Sequence, residues 1–344
     1  MIISKKRNPL QYRYPGLVFM DSTLPNETDH KHLGLTIRSD LKWSSHIKEL
    51  FTKGMKMVNI LKYLQFRLNR KSLETLYLSF VRPLLEYGAV VWDNCTLQES
   101  TQLENVQLAA ARIITGATAG TNHNLIYQES GLEKLSSRRE KSKLILFFKM
   151  MNGDTPPYLQ NLIPDPVSDR NRYNIRSGSS LSHIRSRTNL FDSSFLPSVV
   201  RLWNNLPTEV RNSEDLAEFK KNLNQGTECV NKLFYRGERR LAVFHARLRM
   251  GCSRLKSDLF KKGLADSPRC ACGNFNEDVF HYFCECRFYI NQRNTLHSKI
   301  IPFAPFTTQT LLFGSKRCTL QQNEIIFDAV HNYIKTTGRL GAVT

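Results

Sequence analysis

The sequence contains no run of about 18 apolar residues, the length a membrane-crossing helix needs, so no transmembrane anchor is expected. The charged start Met1-Ile-Ile-Ser-Lys-Lys-Arg has no apolar stretch behind it, which excludes a secretory signal of the usual kind. Two aspartates never stand side by side, and neither a glycine-rich phosphate loop ending in lysine nor a His-Glu-x-x-His motif is present. Joining nucleotides with two magnesium ions requires carboxylates held together, so polymerase and metallohydrolase chemistry have no obvious carrier. Asp21, Glu86 and Asp93 are isolated acids, and nothing in their spacing brings them to one point. Cysteine is scarce: eight in 344 residues is too few for a disulfide scaffold.

What remains is the composition of a folded, strongly cationic protein. Hydrophobic residues make up 41% and aromatics 10%, enough for two or three modest cores. Forty-nine Lys and Arg face 30 Asp and Glu, a formal net charge of +19. A field of that sign and size favours a phosphate backbone or an acidic membrane surface, with a merely solvated basic surface as the plain alternative. Nucleic acid is the favoured partner.

The hydrophobic pattern is mostly helical. Short apolar runs at Leu17–Met20 and His32–Ile37, separated by the turn-rich Asp21–Asp29 segment, predict a β-hairpin at the N-terminus. From Trp43 the period becomes helical, with Ile47, Leu50, Phe51, Val58, Leu61 and Leu64 on one face. Leu73, Leu76, Tyr77, Phe80, Leu84 and Tyr87 form a second stripe, and helices follow at about Glu99–Thr115 and Arg138–Met151. The segment 164–189 is rich in Ser, Asn and Arg and reads as a long loop, either functional or a linker. Shorter helices are expected at Phe195–Trp203 and Ser213–Leu223, the latter with Ser213 as N-cap. The expected organisation is a hairpin region over 1–42, a helical bundle over 43–225 and a small α-rich domain over 226–344, divided at Gln225-Gly226-Thr227.

Within the last domain, Cys270, Cys272, His281, Cys284 and Cys286 crowd into seventeen residues, while Cys95, Cys229, Cys252 and Cys318 are scattered. That distribution suits a reducing intracellular compartment, nucleus or cytoplasm, and one metal site. Thiolate and imidazole are the donors of tetrahedral zinc, and four protein ligands leave no open position, so the ion would be structural. Gly273 eases the turn after Cys272, although the single-residue spacing of the first pair is shorter than usual. The fourth ligand is open on spacing alone. An unbroken helix puts Cys284 on the face of His281; a helix ending near Cys284 lets Cys286 swing in.

Two basic stretches are candidate nucleic-acid contacts. Eleven Lys or Arg lie between Lys232 and Arg269, against four acids if Glu228 is included. Of these, Arg236, Arg239, Arg240, Arg247, Arg249, Lys256, Lys261 and Lys262 are the candidates for phosphate contact. Leu241, Phe244, Leu248 and Leu255 supply a buried stripe, so the arginines would project outward and offer bidentate guanidinium forks to phosphate. Tyr235 would stack on an unpaired base, whereas Phe234 reads as core. The second stretch is the loop carrying Arg170, Arg172, Arg176, Arg185 and Arg187.

Several motifs in order along nearly the whole chain resemble the C-terminal part of non-LTR retrotransposon reverse transcriptases of the jockey-like kind. They include His30-Lys31-His32-Leu33-Gly34-Leu35, Asp40-Leu41-Lys42-Trp43-Ser44-Ser45-His46-Ile47, Arg82-Pro83-Leu84-Leu85-Glu86-Tyr87-Gly88 and Leu103-Glu104-Asn105-Val106-Gln107. Ala110-Ala111-Arg112-Ile113-Ile114-Thr115-Gly116, Trp203-Asn204-Asn205-Leu206-Pro207 and His245-Ala246-Arg247-Leu248-Arg249 continue the series. The resemblance implies a primer-gripping turn at Leu33-Gly34, a helical thumb after Trp43 and a zinc-binding tail, with Cys286 as fourth ligand. It also implies a catalytic Asp-Asp dyad and an endonuclease upstream of Met1, and hence a truncated or decayed copy. The expectation is a mostly α, non-catalytic fragment that binds RNA or DNA, holds structural zinc and would act beside the palm domain of a full-length polymerase. The alternatives are a zinc-stabilised structural or protein-interaction module and an inactive pseudogene product.

Overall fold

The protein is described here by a computed structural model covering residues 18–19, 22–23, 27–167, 180–225 and 230–341. It is mostly helical, with two short antiparallel strand pairs near the N-terminus. Asp21, Arg170, Arg172, Arg176 and the boundary Gly226-Thr227 lie outside the described residues. Two compact units emerge, each assembled from separate stretches of chain. One comprises Met1–Lys56, Arg82–Val106 and Glu133–Thr227; the other Met57–Val81, Gln107–Leu132 and Glu228–Thr344. The linear division expected from composition shares the boundary near residue 227 but assigns neither Met57–Val81 nor Gln107–Leu132 to the C-terminal part.

In the first unit, strands Asp29–His32 and Leu35–Arg38 pair antiparallel with His32 opposite Leu35. The run His32–Ile37, read as one strand, is therefore broken by a two-residue turn at Leu33 and Gly34, whose φ values are +46° and +83°. Two successive positive φ angles match the right-handed twist of a tight hairpin, and glycine serves the second at no steric cost. Tyr87 fixes the turn by donating its hydroxyl to the Leu33 carbonyl at 2.9 Å. The unit's main apolar cluster packs Leu135–Met151 against Phe195–Asn204 and Leu216–Leu223. Phe147 meets Trp203 edge-on at 5.4 Å, and Phe148 stacks on Phe219 at 4.3 Å. Asp215, not Ser213, caps the last of these helices, accepting the Glu218 amide at 2.7 Å.

The stripe expected over 73–87 is displaced. A five-residue π turn, Tyr77–Val81, interrupts the helices Arg70–Leu76 and Arg82–Glu86. A wider turn delays the inward face by about one residue. The buried positions become Leu73, Tyr77, Val81 and Leu85, while Phe80 and Tyr87 are exposed.

The second unit gathers its principal apolar cluster around Arg239–Arg249, Ile290–Ile300 and Leu320–Thr337, with Leu248, Phe283, Ile300, Ile326 and Val330 at its centre. Polar groups are also buried there. Glu129 accepts Arg70 Nη1 at 2.6 Å and both Arg249 Nη2 at 2.7 Å and Arg249 Nε at 2.9 Å. All three side chains are nearly inaccessible. Burial acts to raise the Glu129 carboxyl, but the two guanidinium groups outweigh it and hold it lowered. Removing one partner of such a group leaves uncompensated buried charge. Glu129→Ala should cost about 4 kcal/mol of unfolding free energy in denaturant titration; a loss under about 1 kcal/mol would contradict the assignment.

His245 and His331 add a titratable pair, His245 Nδ1 lying 3.3 Å from His331 Nε2 and His245 Nε2 lying 3.0 Å from the Leu311 carbonyl oxygen. One donating and one accepting nitrogen on each ring fits two neutral imidazoles. Burial, helped by Arg249, pushes His331 down to about 4 and His245 well below its ordinary value; Asp328 opposes the His331 shift. Both groups bind protons less readily folded than unfolded. Their contribution is therefore fully present above about pH 6.5 and is lost as pH falls towards His331's value. Denaturant midpoints should drop between pH 7 and pH 5, and the drop should be shallower in His331→Gln than in the parent.

Candidate metal centre and basic residues

Four donors converge in the second unit. Cys270 and Cys272 come from a tight turn closed by the Gly273 amide to the Cys270 carbonyl and by the Cys270 amide to the Asn274 carbonyl. Gly273 has φ +98°, a conformation that side-chain-bearing residues avoid. His281 and Cys286 come from the far end of the next element. Its residues His281–Glu285 form a π turn, closed by the Cys286 amide to the His281 carbonyl at 2.8 Å. In an α-helix residue i+5 points well away from residue i; the wider π turn returns it to nearly the same face. Cys286 thus reaches the site. Cys284 packs against the apolar cluster instead.

The ligand atoms of Cys270, Cys272, His281 and Cys286 all lie within 4.8 Å of one another, and all four residues are buried. Cys270 Sγ and Cys286 Sγ are 3.9 Å apart, and Cys272 Sγ is 3.3 Å from His281 Nε2. A disulfide needs about 2.05 Å, so these thiols are not joined. The edges of a tetrahedron with metal–sulfur distances of about 2.3 Å are about 3.8 Å, close to what is seen. The group fits a four-coordinate metal ion.

Outer contacts fit as well. His281 Nδ1 lies 3.4 Å from Glu285 Oε2, the carboxylate–imidazole arrangement that aims a ligating nitrogen. Glu277 Oε1 is 3.8 Å from Cys270 Sγ and accepts Arg339 Nε at 2.6 Å, tying the end of the chain to the site. Burial pushes the Cys270 thiol up to about 12. At Cys272 burial also acts upward, but the Asn274 amide, the Cys270 and Cys286 thiols and His281 outweigh it and bring the thiol down to about 7. Holding all three thiols as thiolates would need a cation. Glu277 and Glu285 were not singled out from the sequence; the four-residue step from His281 to Glu285 was the available signal.

The candidate nucleic-acid residues divide into two sets. Arg239, Arg247 and Arg249 do not project outward. Arg239 donates Nε to the Gln65 carbonyl at 2.9 Å, Nη1 to Ile114 at 2.8 Å and Nη2 to Ile113. These are carbonyls left unpaired where the Leu97–Thr115 helix ends and just past the Ser44–Leu64 helix. Arg247 donates Nε to the Gly116 carbonyl at 2.8 Å, and Arg249 belongs to Glu129. The leucine stripe correctly placed Leu241, Leu248 and Leu255 inside. It gave no hint that carbonyls and a carboxylate waited beside it. Arg236 is committed to Asp328 and Glu324, and Lys262 to the Thr118 hydroxyl. Phe234 is buried under Arg249, whose Cζ stands 3.8 Å from the ring centre. Arg185, Arg187, Lys256 and Lys261 are exposed, as is Leu33 at the hairpin tip; Gly34 lies partly covered by Tyr87. Of the isolated acids, Glu86 is bound to Arg138, and Asp93 to Arg139 at 2.6 Å and Lys143 at 2.5 Å.

Binding that accompanies folding stabilises by mass action. A chelator should lower the second unit's melting temperature by roughly 10 °C, and Cys272→Ser should do the same without chelator. Elemental analysis of protein purified without chelators should find one metal per chain; a chelator-insensitive melt would remove the metal centre.

No helix among the described residues is long and apolar enough to cross a membrane. Comparison with protein-family models, with characterised proteins and with solved structures found no match, so the reading of this chain rests on its own residues and geometry.

Proposed function

We propose that this chain is a non-catalytic nucleic-acid-binding protein whose C-terminal part is stapled by zinc, akin to the thumb and zinc-binding tail of a non-LTR retrotransposon reverse transcriptase. Its net charge of +19 is the observation that carries the reading. Three thiols and one imidazole are the donor set of structural zinc, and Cys270, Cys272, His281 and Cys286 would hold the ion without leaving a position for reacting water. The ion would supply folding free energy and no catalysis. Glu86 and Asp93, engaged by arginine and lysine, offer no free pair of carboxylates for magnesium. In this role the protein works inside the cell, in nucleus or cytoplasm, and positions RNA or DNA beside a polymerase palm domain. The tight Leu33-Gly34 turn would present its tip to a primer end.

A second reading, a zinc-stabilised structural or protein-interaction module, is favoured by the inward course of Arg239, Arg247 and Arg249, which withdraws cations from the surface. The two readings separate on salt. A protein that releases counterions from a phosphate backbone loses affinity steeply with ionic strength. Affinity of the intact chain for RNA or single-stranded DNA should fall roughly a hundredfold or more between 50 and 200 mM salt. Weak, salt-indifferent binding would favour the structural module.

A further inference from the structure

The second unit contains cations that its own fold does not explain. Two adjoining depressions, of about 120 and 250 Å³, share Phe66, Val243 and Arg247. Lys62, Arg112 and Arg239 complete the charged lining of one, Arg240 and Arg254 that of the other; no carboxylate lines either. Arg239 and the Nε of Arg247 serve the helix-end carbonyls described above, and Arg112 Nη2 lies 3.2 Å from His123 Nε2. The side chains of Lys62 and Arg254 make no hydrogen bond or ion pair among the described residues. Arg112 has a buried Nε with no partner. Arg254 faces Arg247, so two like charges sit together; burial and then Arg254 lower the Arg247 guanidinium, which Cys252 opposes. Like charges without a counterion raise the energy of the folded state, and an anion would relieve it.

Both linings include an exposed aromatic ring, Phe66, at 51% exposure; Tyr63, 66% exposed, lies close by in sequence and lines neither. Arg240 Cζ stands 5.9 Å from the Phe66 ring centre, and Arg67 Cζ 4.4 Å from that of Tyr63. Cations interleaved with exposed aromatic rings are what a single strand requires: phosphates meet the charges and unstacked bases meet the rings. A duplex, whose bases are already stacked, would use only the charges. Polyglutamate, which has no aromatic or apolar side chain, would likewise meet only the charges.

We propose that these two depressions form one groove for single-stranded RNA or DNA, in which Lys62 and Arg254 take the phosphates and Phe66 stacks on a base. The proposal rests on the nucleic-acid reading above and locates it. Arg239 is a positioning residue there, holding the helix ends that present Lys62 and Arg112.

The test uses the full chain, a fluorescent single-stranded oligonucleotide, and the variants Lys62→Gln/Arg254→Gln, Phe66→Ala and Phe66→Tyr. Lys62 and Arg254 lack internal partners and Phe66 is half exposed, so melting temperatures should stay at the parent value. The double charge variant should lose about tenfold in affinity at moderate salt, and its log–log salt slope should shrink by about 1.4, the contribution of two single-strand phosphates. Phe66→Ala should lose about tenfold with the slope unchanged, and Phe66→Tyr should restore it. Parent-like affinity and slope in the double variant, while the parent itself binds with steep salt dependence, would overturn the groove and leave the nucleic-acid reading standing. No salt-dependent binding by the parent would overturn both. Equal loss for duplex and single strand in Phe66→Ala, or displacement of the oligonucleotide by polyglutamate at equal charge concentration, would also overturn it.

Discussion

Buried guanidinium groups organise the second unit. The helix Arg239–Arg249 carries arginines at three positions where a purely apolar stripe would have sufficed. Each finds oxygen inside the unit: Arg239 at helix-end carbonyls, Arg247 at the carbonyl of Gly116, Arg249 at Glu129. A charged donor gains more from such an acceptor than a neutral one, and its removal from water is tolerable only because those acceptors are present. Gly116 illustrates the closeness of fit. It has φ +81°, and a Cβ there would come within 2.5 Å of Val243. Backbone conformation and approach distance both require glycine at that helix end.

The same interactions sort the protein's positive charge. A residue whose three guanidinium nitrogens each donate to a backbone carbonyl frames the fold and has less left for a ligand. Arg239 is such a residue, and burial lowers it to about 10. Lys256, Lys261, Arg185 and Arg187 remain in solvent, where charge contributes to long-range attraction of polyanions. Lys62 and Arg254 are exposed as well and have no partner among the described residues, but they line the two depressions that share Phe66 and Arg247. Net charge by itself does not distinguish these three situations.

The Cys/His group shows how a small backbone irregularity selects a ligand. With α geometry over 281–286, Cys284 would face the site and Cys286 would turn away. One π turn exchanges them, and Cys284 joins the apolar cluster instead. Glu285 and Glu277 then fall beside His281 and Cys270, where they orient donors without being ligands. A comparable π turn at Tyr77–Val81 moved a whole hydrophobic stripe by one position. Both departures arise where five residues occupy a turn that periodicity assigns to about four.

Much of the architecture was legible in the sequence. Helical periodicity identified the long helices, because burying one apolar face leaves a repeat that survives any arrangement of neighbours. The density of Cys and His in seventeen residues pointed to the buried group that could hold a metal ion, since free cysteines seldom cluster without a shared ligand. Tertiary structure alone decided the phase after each π turn, the inward course of the arginines and the discontinuous make-up of the two units. Those outcomes depend on partners distant in sequence: Arg239 meets carbonyls 125 and 126 residues away, and Arg249 a carboxylate 120 residues away. No local pattern records where a carbonyl or a carboxylate will lie once the chain has folded.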